Sequence, residues 1–212
     1  MEYSLKISES KELKNITEST LGHYSERSDL FWQGTKDHDV SQNINALLQS
    51  IKADAPYRIL DFGCGPGRDT LALKNLGHIP TGLDGCENFV SMAKEHSGSE
   101  VLHQNFLELE LRENYFDGIF ANASLFHIPK SEFRRVLGDI VASLKKGGVL
   151  FSSNPRGNSE GFNGARYGYY MELEEFNEHL EAVGLTLEDH YYRPEGLPRS
   201  EQPWLACVAR KN

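Results

Sequence analysis

The residues best suited to chemistry in this 212-residue chain surround a glycine-rich turn, Leu60-Asp61-Phe62-Gly63-Cys64-Gly65-Pro66-Gly67. Alternating glycines let the backbone bend sharply and approach a ligand closely. A dinucleotide site would want G-x-G-x-x-G at a helix N-terminus, facing a pyrophosphate. Here Arg68 stands where the third glycine belongs, and Asp61 directly precedes the loop. A carboxylate there is poorly matched to phosphate and suits a ligand carrying an ammonium group. Asp84-Gly85 closes the next apolar run, Asp84 lying 23 positions after Asp61. That is the spacing expected of an acid that accepts both ribose hydroxyls. Cys64 and Cys86 have the chemistry of nucleophiles, but one fits a crowded turn and the other a helix start as plain small residues.

These residues need a scaffold that ends several strands at one edge. Short apolar runs at 58–61, 79–83, 101–103, 116–121 and 149–152 alternate with helical spacing at 69–76, 87–95 and 132–144, the last stopped by Lys145, Lys146, Gly147 and Gly148. A further helix is expected over 172–183, and strands over 185–191 and 205–209. Alternating strands and helices predict an α/β fold, doubly wound, with a mostly parallel seven-stranded sheet. The Pro/Gly-rich loop 193–203 contains no helix, so the last strand is expected to be antiparallel. A helix is also expected over 40–51, capped by Asp37 or Asp39, and residues 1–20 are polar enough to fray. One domain spans 1–212, with 1–50 a helical cap over the site and 56–212 the α/β core.

The stretch from Leu60 to Gly67 resembles motif I of the class I S-adenosylmethionine-dependent methyltransferases, whose cofactor has an ammonium, a sulfonium and no phosphate. The resemblance implies a Rossmann-like fold and a cofactor held by Asp61, Gly63, Cys64, Gly65, Gly67, Asp84 and Gly85. It also implies that Asn105 meets the adenine amine and Phe106 the adenine face. Aspartate is the commoner residue at the position of Asn105.

Ligands in such sheets lie beyond the strand carboxyl ends, so the acceptor should sit near Asn122 and His127. His127 reads as a base, an orienting group or a packing histidine. The segment 31–43 is dense in aromatic and polar residues that no scaffold requires. From it Trp32 is assigned to the cofactor, Phe31, Thr35 and Gln42 to substrate, and Asp39 to catalysis. Arg156 and Arg166 each suit either a substrate carboxylate or a surface salt bridge, within Gly/aromatic segments that read as lids.

The run Gly34–Asn43, the Arg166-Tyr167-Gly168 element and the tail from His190 through Gln202-Pro203-Trp204-Leu205 resemble the methyltransferase domain of ovothiol synthase, from about Tyr24 to Lys211. That resemblance implies methylation of the π-nitrogen of 5-thiohistidine, giving ovothiol A and S-adenosylhomocysteine, with Tyr24 and Tyr167 added to the substrate side. The sulfoxide-synthase part is absent from this chain, so a functional link to a separate sulfoxide synthase is implied. Asp39, Asn122 or His127 would orient the ring, and Arg156 or Arg166 would take the carboxylate. Two other readings stay open: a methyltransferase for another small thiol, amine or hydroxyl metabolite, and a cofactor-binding module without catalysis.

Composition narrows the partners. A net charge of −9 without a basic stripe argues against nucleic acid. The start lacks an apolar signal segment, no run is long enough to span a membrane, and three scattered cysteines build no disulfide framework. A cytoplasmic small-molecule enzyme is the expectation, with no metal ligands assigned.

Overall fold

A computed structural model describes the backbone of residues 2–212 and the side chains of residues 10–212. Three helices lead, α1 (Glu2–Glu26), α2 (Ser28–Thr35) and α3 (Ser41–Ser50). Then follow β1 (Arg58–Phe62), α4 (Arg68–Asn75), β2 (Ile79–Asp84), α5 (Glu87–Ser97), β3 (Glu100–His103), β4 (Phe116–Asn122) and α6 (Lys130–Ser143). The chain closes with β5 (Leu144–Pro155), a hairpin of β6 (Ser159–Asn163) and β7 (Arg166–Tyr170), α7 (Leu173–Ala182), β8 (Leu185–Arg193) and β9 (Trp204–Lys211).

Seven strands form one sheet in the order β3-β2-β1-β4-β5-β9-β8. Strands β1 to β5 pair in parallel, while β9 runs antiparallel to both β5 and β8. The expected fold is observed. The loop 193–203 is what lets β9 turn back, because a short connection without a helix cannot make a parallel crossover.

Alternation along each strand separates two apolar layers. Leu60, Ile119 and Leu150 face α6 and α7, against Phe133, Leu137 and Leu180. Ile59, Phe120 and Phe151 face the other way, against Ile44, Leu47 and Leu73. Each large side chain so buried contributes roughly 1.5–3 kcal/mol. The sheet is thereby a rigid platform, and its carboxyl-end residues are placed by the strands rather than by loops.

Three local expectations change. The fraying expected at the start is replaced by a helix from Glu2; Met1 lies outside the described residues. Few apolar residues mark α1, but Ile16 and Thr20 are buried, the Thr20 hydroxyl accepts the Tyr167 N–H at 3.0 Å, and Ser19 donates to the Ala165 carbonyl at 2.8 Å. Second, the segment read as a lid pairs as the β6–β7 hairpin against which α1 packs. Third, Gly147 does not end a helix: α6 stops at Ser143, and Gly147, at φ +74°, lies inside β5 beside the register shift between Phe116 and Gly118.

Candidate functional site

The turn after β1 is built as its sequence requires. Gly63, Gly65 and Gly67 all have positive φ, and the N–H groups of Gly63 and Cys64 donate to the Leu83 carbonyl at 2.8 and 3.0 Å. The loop is thus stitched to the end of β2. There the Asp84 carboxylate accepts from Gly65 N–H at 2.9 Å and from Cys86 N–H at 2.8 Å. Burial raises its pKa to about 6, against these donors. Two acceptor sites of the carboxylate remain for a ligand.

Two hollows meet at the loop. One, of about 100 Å³, lies between α1 and the ends of β2 and β3; Asp84, Gly85, Asn105, Phe106 and Tyr24 line it. The other, of about 530 Å³, lies over β4, β5, β9 and β8. Phe31, Gly63, Gly65 and Ala123 line both, so the glycine turn separates a small chamber from a larger cleft.

Asp61 is placed differently from its expected role. It is 2% exposed, accepts the Thr70 hydroxyl at 2.6 Å, and lines neither hollow. Its strand position turns it toward α4, behind the loop, so it braces the turn and touches no ligand ammonium. Burial, with the charge of Asp69 beside it, pushes its pKa up to about 8.

His127 is not a free base. Its Nδ1 lies 2.7 Å from the Tyr167 carbonyl and therefore carries the proton. Its Nε2 then accepts the Tyr24 hydroxyl at 2.9 Å. Burial pushes its pKa down to about 4, so the ring is neutral and both nitrogens are engaged. It fixes Tyr24, which faces the small chamber beside Asp84 rather than the larger cleft.

Other assigned residues divide. Asp39 and Thr35 line the cleft, and Trp32 lines it while stacking on His96 with centroids 4.3 Å apart. Asp39 accepts the Ser41 N–H at 2.9 Å, so it also caps α3; this bond foremost, with Arg193 adding to it, holds its pKa low. Asn122 lines the cleft with its amide committed: it accepts from Asn43 Nδ2 at 3.0 Å and donates to Asp69 at 3.2 Å. Gln42 lies away from the cleft and donates to Glu195. Tyr167 contributes through its backbone, its ring packing on Phe162. Arg166 lies by the Tyr24 hydroxyl, where its charge opposes the rise that burial imposes on that phenol. Cys64 and Cys86 are buried and burial raises both thiols, which suits packing rather than nucleophilic attack.

Arg156 is corrected outright. Its guanidinium grips Glu172 at 2.8 and 2.9 Å and donates to the carbonyls of Gln202 and Arg199 at 2.7 Å each. It ties β5 to the start of α7 and to the 193–203 loop, and Glu172 already holds the place a substrate carboxylate would take. Arg156→Ala is expected to lower stability by about 1–3 kcal/mol in urea denaturation, with the KM for acceptor unchanged; a tenfold KM rise with unaltered stability would restore its substrate role.

Sequence reasoning missed Arg68, Asp69, Ser153 and Arg193. Arg68 clasps Asp69 at 2.6 and 2.9 Å and donates to the Thr35 carbonyl at 2.8 Å, joining α4 to α2 across the cleft. The missing third glycine at position 68 was the only visible trace of this. Ser124 and Ser153 are buried, and their hydroxyls have no hydrogen-bond partner among the described residues; one lines the small chamber and the other the cleft.

A methyltransferase domain family model matches residues 60–152. A malonyl-[acyl-carrier protein] O-methyltransferase of Buchnera aphidicola is 33% identical over 123 residues, 57% of this chain and 49% of that relative, so the match spans about half that protein's length. A ubiquinone biosynthesis O-methyltransferase of Coxiella burnetii is 26% identical over 208 residues, covering 84% of this chain and 88% of the relative. Among solved structures, the 1,6-didemethyltoxoflavin-N1-methyltransferase of Burkholderia thailandensis, bound to its namesake acceptor and S-adenosylhomocysteine, superposes with a TM-score of 0.72 at 25% identity, covering 91% of this chain and 85% of that one.

The residues fit that cofactor. Gly65 has φ +52° with Phe31 in ordinary contact range of an added Cβ, at 3.6 Å, and its bare backbone borders both hollows. The spare acceptor sites of Asp84 suit ribose hydroxyls, and the orphaned Ser124 hydroxyl is a buried group awaiting a polar partner. With the sheet, the turn and the matched region in agreement, the chain carries an S-adenosylmethionine-dependent methyltransferase domain on a Rossmann-like methyltransferase fold.

Proposed function

We propose that the enzyme methylates a small acceptor at a ring nitrogen, the acceptor being 5-thiohistidine and the product ovothiol A. The observation that carries this reading is the lining of the 530 Å³ cleft, which brings together an acid, Asp39, a guanidinium, Arg193, and two indoles, Trp32 and Trp204. A zwitterionic acceptor with a flat ring matches that lining. The solved relative named as an N1-methyltransferase supports transfer to nitrogen. Transfer to a hydroxyl oxygen would be helped by a base that removes its proton; neutral, doubly engaged His127 supplies none.

S-adenosylmethionine supplies an electrophilic methyl group on a sulfonium when bound. The acceptor nitrogen uses its lone pair to form the new N–CH3 bond as the S–CH3 bond breaks, and that bond's electrons stay on sulfur. With the acceptor entering as a neutral imidazole bearing an already ionised thiolate, N-methylation gives the imidazolium thiolate with no proton left to remove, so no base is required. What the protein contributes is placement about 3 Å from the methyl carbon and exclusion of water. Arg68, tied to the Thr35 carbonyl, holds α2 over the turn for this purpose. The domain layout that follows is one α/β core of residues 56–212 roofed by residues 1–50, acting downstream of a separate sulfoxide synthase.

Incubating the enzyme with S-adenosylmethionine and either 5-thiohistidine or histidine tests the proposal. Mass detection should show one methyl added to the thiol-bearing acceptor with matching S-adenosylhomocysteine release. Turnover of hydroxyl acceptors alone would replace it, and cofactor binding without turnover of any acceptor would mark a binding module.

A further inference from the structure

Four adjacent strands end side by side on one face of the sheet. Phe120, Phe151, Ala206 and Val208 belong to the apolar layer under α3, and Tyr191 packs against it. Two positions along each strand returns to the same face, so Asn122, Ser153, Trp204 and Arg193 continue that layer to the rim. The register sets them in two successive rows: Asn122 and Ser153 lie level with Ala206 and Tyr191, and Trp204 and Arg193 lie level with Pro155, two positions nearer the rim. All four line the large cleft.

Their states differ in an informative way. Asn122 is committed to Asn43 and Asp69. Ser153 is 1% exposed and its hydroxyl has no partner among the described residues. Arg193 forms no ion pair among the described residues, although Arg156 and Arg210 nearby in the sheet are both ion-paired. A half-buried guanidinium, an orphaned hydroxyl and an indole, all on the wall of one cleft, are an incomplete set of donors. Both unmet groups donate, and both are satisfied by one anion.

We infer that Arg193 and Ser153 form the anchor for a carboxylate on the methyl acceptor, with Trp204 between them as the platform for its ring. Asp39 faces these rows from the α2–α3 connection and takes the acceptor's ammonium. The inference rests on the small-acceptor reading above and assigns to Arg193 the role that Arg156 cannot fill. It makes the enzyme selective for acidic or zwitterionic acceptors over their decarboxylated counterparts.

The test titrates protein saturated with S-adenosylhomocysteine by calorimetry, using 5-thiohistidine, L-histidine and the corresponding decarboxylated amines. The acids should bind at least about tenfold more tightly than the amines, a factor set by one charge-assisted contact. Arg193→Gln should abolish that preference, Arg193→Lys should restore part of it, and Arg156→Ala should leave it intact. Equal binding of acids and amines, a preference that survives Arg193→Gln, or no binding of any probe overturns the anchor. Thermal melts with S-adenosylhomocysteine confirm that each variant is folded and loaded. Methyl transfer is scored separately in the same mixtures. An Arg193-dependent preference without methylation of 5-thiohistidine removes that substrate and keeps the anchor; methylation without Arg193 dependence does the reverse.

Discussion

Asp84→Ala is expected to weaken S-adenosylhomocysteine binding by at least about 100-fold. The carboxylate holds Gly65 N–H and Cys86 N–H and offers its remaining acceptor sites to the small chamber. Hydrogen bonds to a charged group are worth about 1.5–3 kcal/mol each, and 1.4 kcal/mol is tenfold in affinity. Losing the ribose contacts alone reaches two decades, before any loosening of the glycine turn. The loss should not reflect unfolding. Burial raises the folded pKa of Asp84 to about 6, above the value of about 3.9 in an unfolded chain. The folded state therefore holds the proton longer, and this group's contribution to stability falls as pH rises from about 4 to about 6. At neutral pH the ionised carboxylate is a burden on the empty protein, which offsets part of the stability lost with its bonds to Gly65 and Cys86. Donors on a bound ligand favour the ionised form, so affinity should rise as pH is raised through about 6 and level off above it. Asp84→Asn should bind weakly with that step missing. Calorimetry from pH 5 to 8 decides: binding by Asp84→Ala within threefold of the parent would show that Asp84 only staples the turn.

The second large effect concerns stability. Gly67→Ala should destabilise the protein by about 3 kcal/mol, a shift in melting temperature of about 10 °C for a chain of this size. Gly67 precedes α4 at φ +90°, and a Cβ there would stand 2.7 Å from the Ala93 Cα and 2.9 Å from its Cβ. Backbone contacts of that kind cannot swing aside. Two penalties add: the left-handed conformation, about 1 kcal/mol or slightly more, and forced separation of α4 from α5. Gly77→Ala isolates the first, since Gly77 has φ +87° and a Cβ added there would meet nothing within 4 Å. Urea denaturation of both variants should give a clear excess for Gly67. Equal losses would mean that the α4–α5 approach yields easily, and that the third loop glycine serves conformation alone.

The tight approach at Gly67 illustrates what a sequence exposes. Local chemistry was readable wherever one residue type has one physical use. Glycines at 63, 65 and 67 implied a strained turn, and Asp84 implied a buried acid at a strand end; both stand as expected. The apolar runs located the central strands β1, β2 and β4 to within a residue, because a strand buried on both faces must be apolar throughout. Helix α1 was not legible. Its few apolar residues give no stripe, and it is held by backbone-directed bonds from Ser19 and Thr20 to the β6–β7 hairpin, partners about 147 positions away.

For the side chains that surround the acceptor, tertiary structure decided nearly everything. Arginines 156, 166 and 193 look equivalent as letters, since a guanidinium suits a substrate and a salt bridge equally. Which one is free depends on where Glu172 falls, and that follows from α7 docking on the sheet. Likewise, Asp61 and Asp84 are both acids near strand ends on the same sheet face, yet Thr70 of α4 covers the first while the second, the last residue of β2, reaches the chamber. The sequence alone determined the sheet, the turn and the class of cofactor, because those rest on periodicity and backbone freedom within short windows. The partners of Arg156 lie 16 to 46 positions away in the chain, so only the folded packing settled that it is not free to bind.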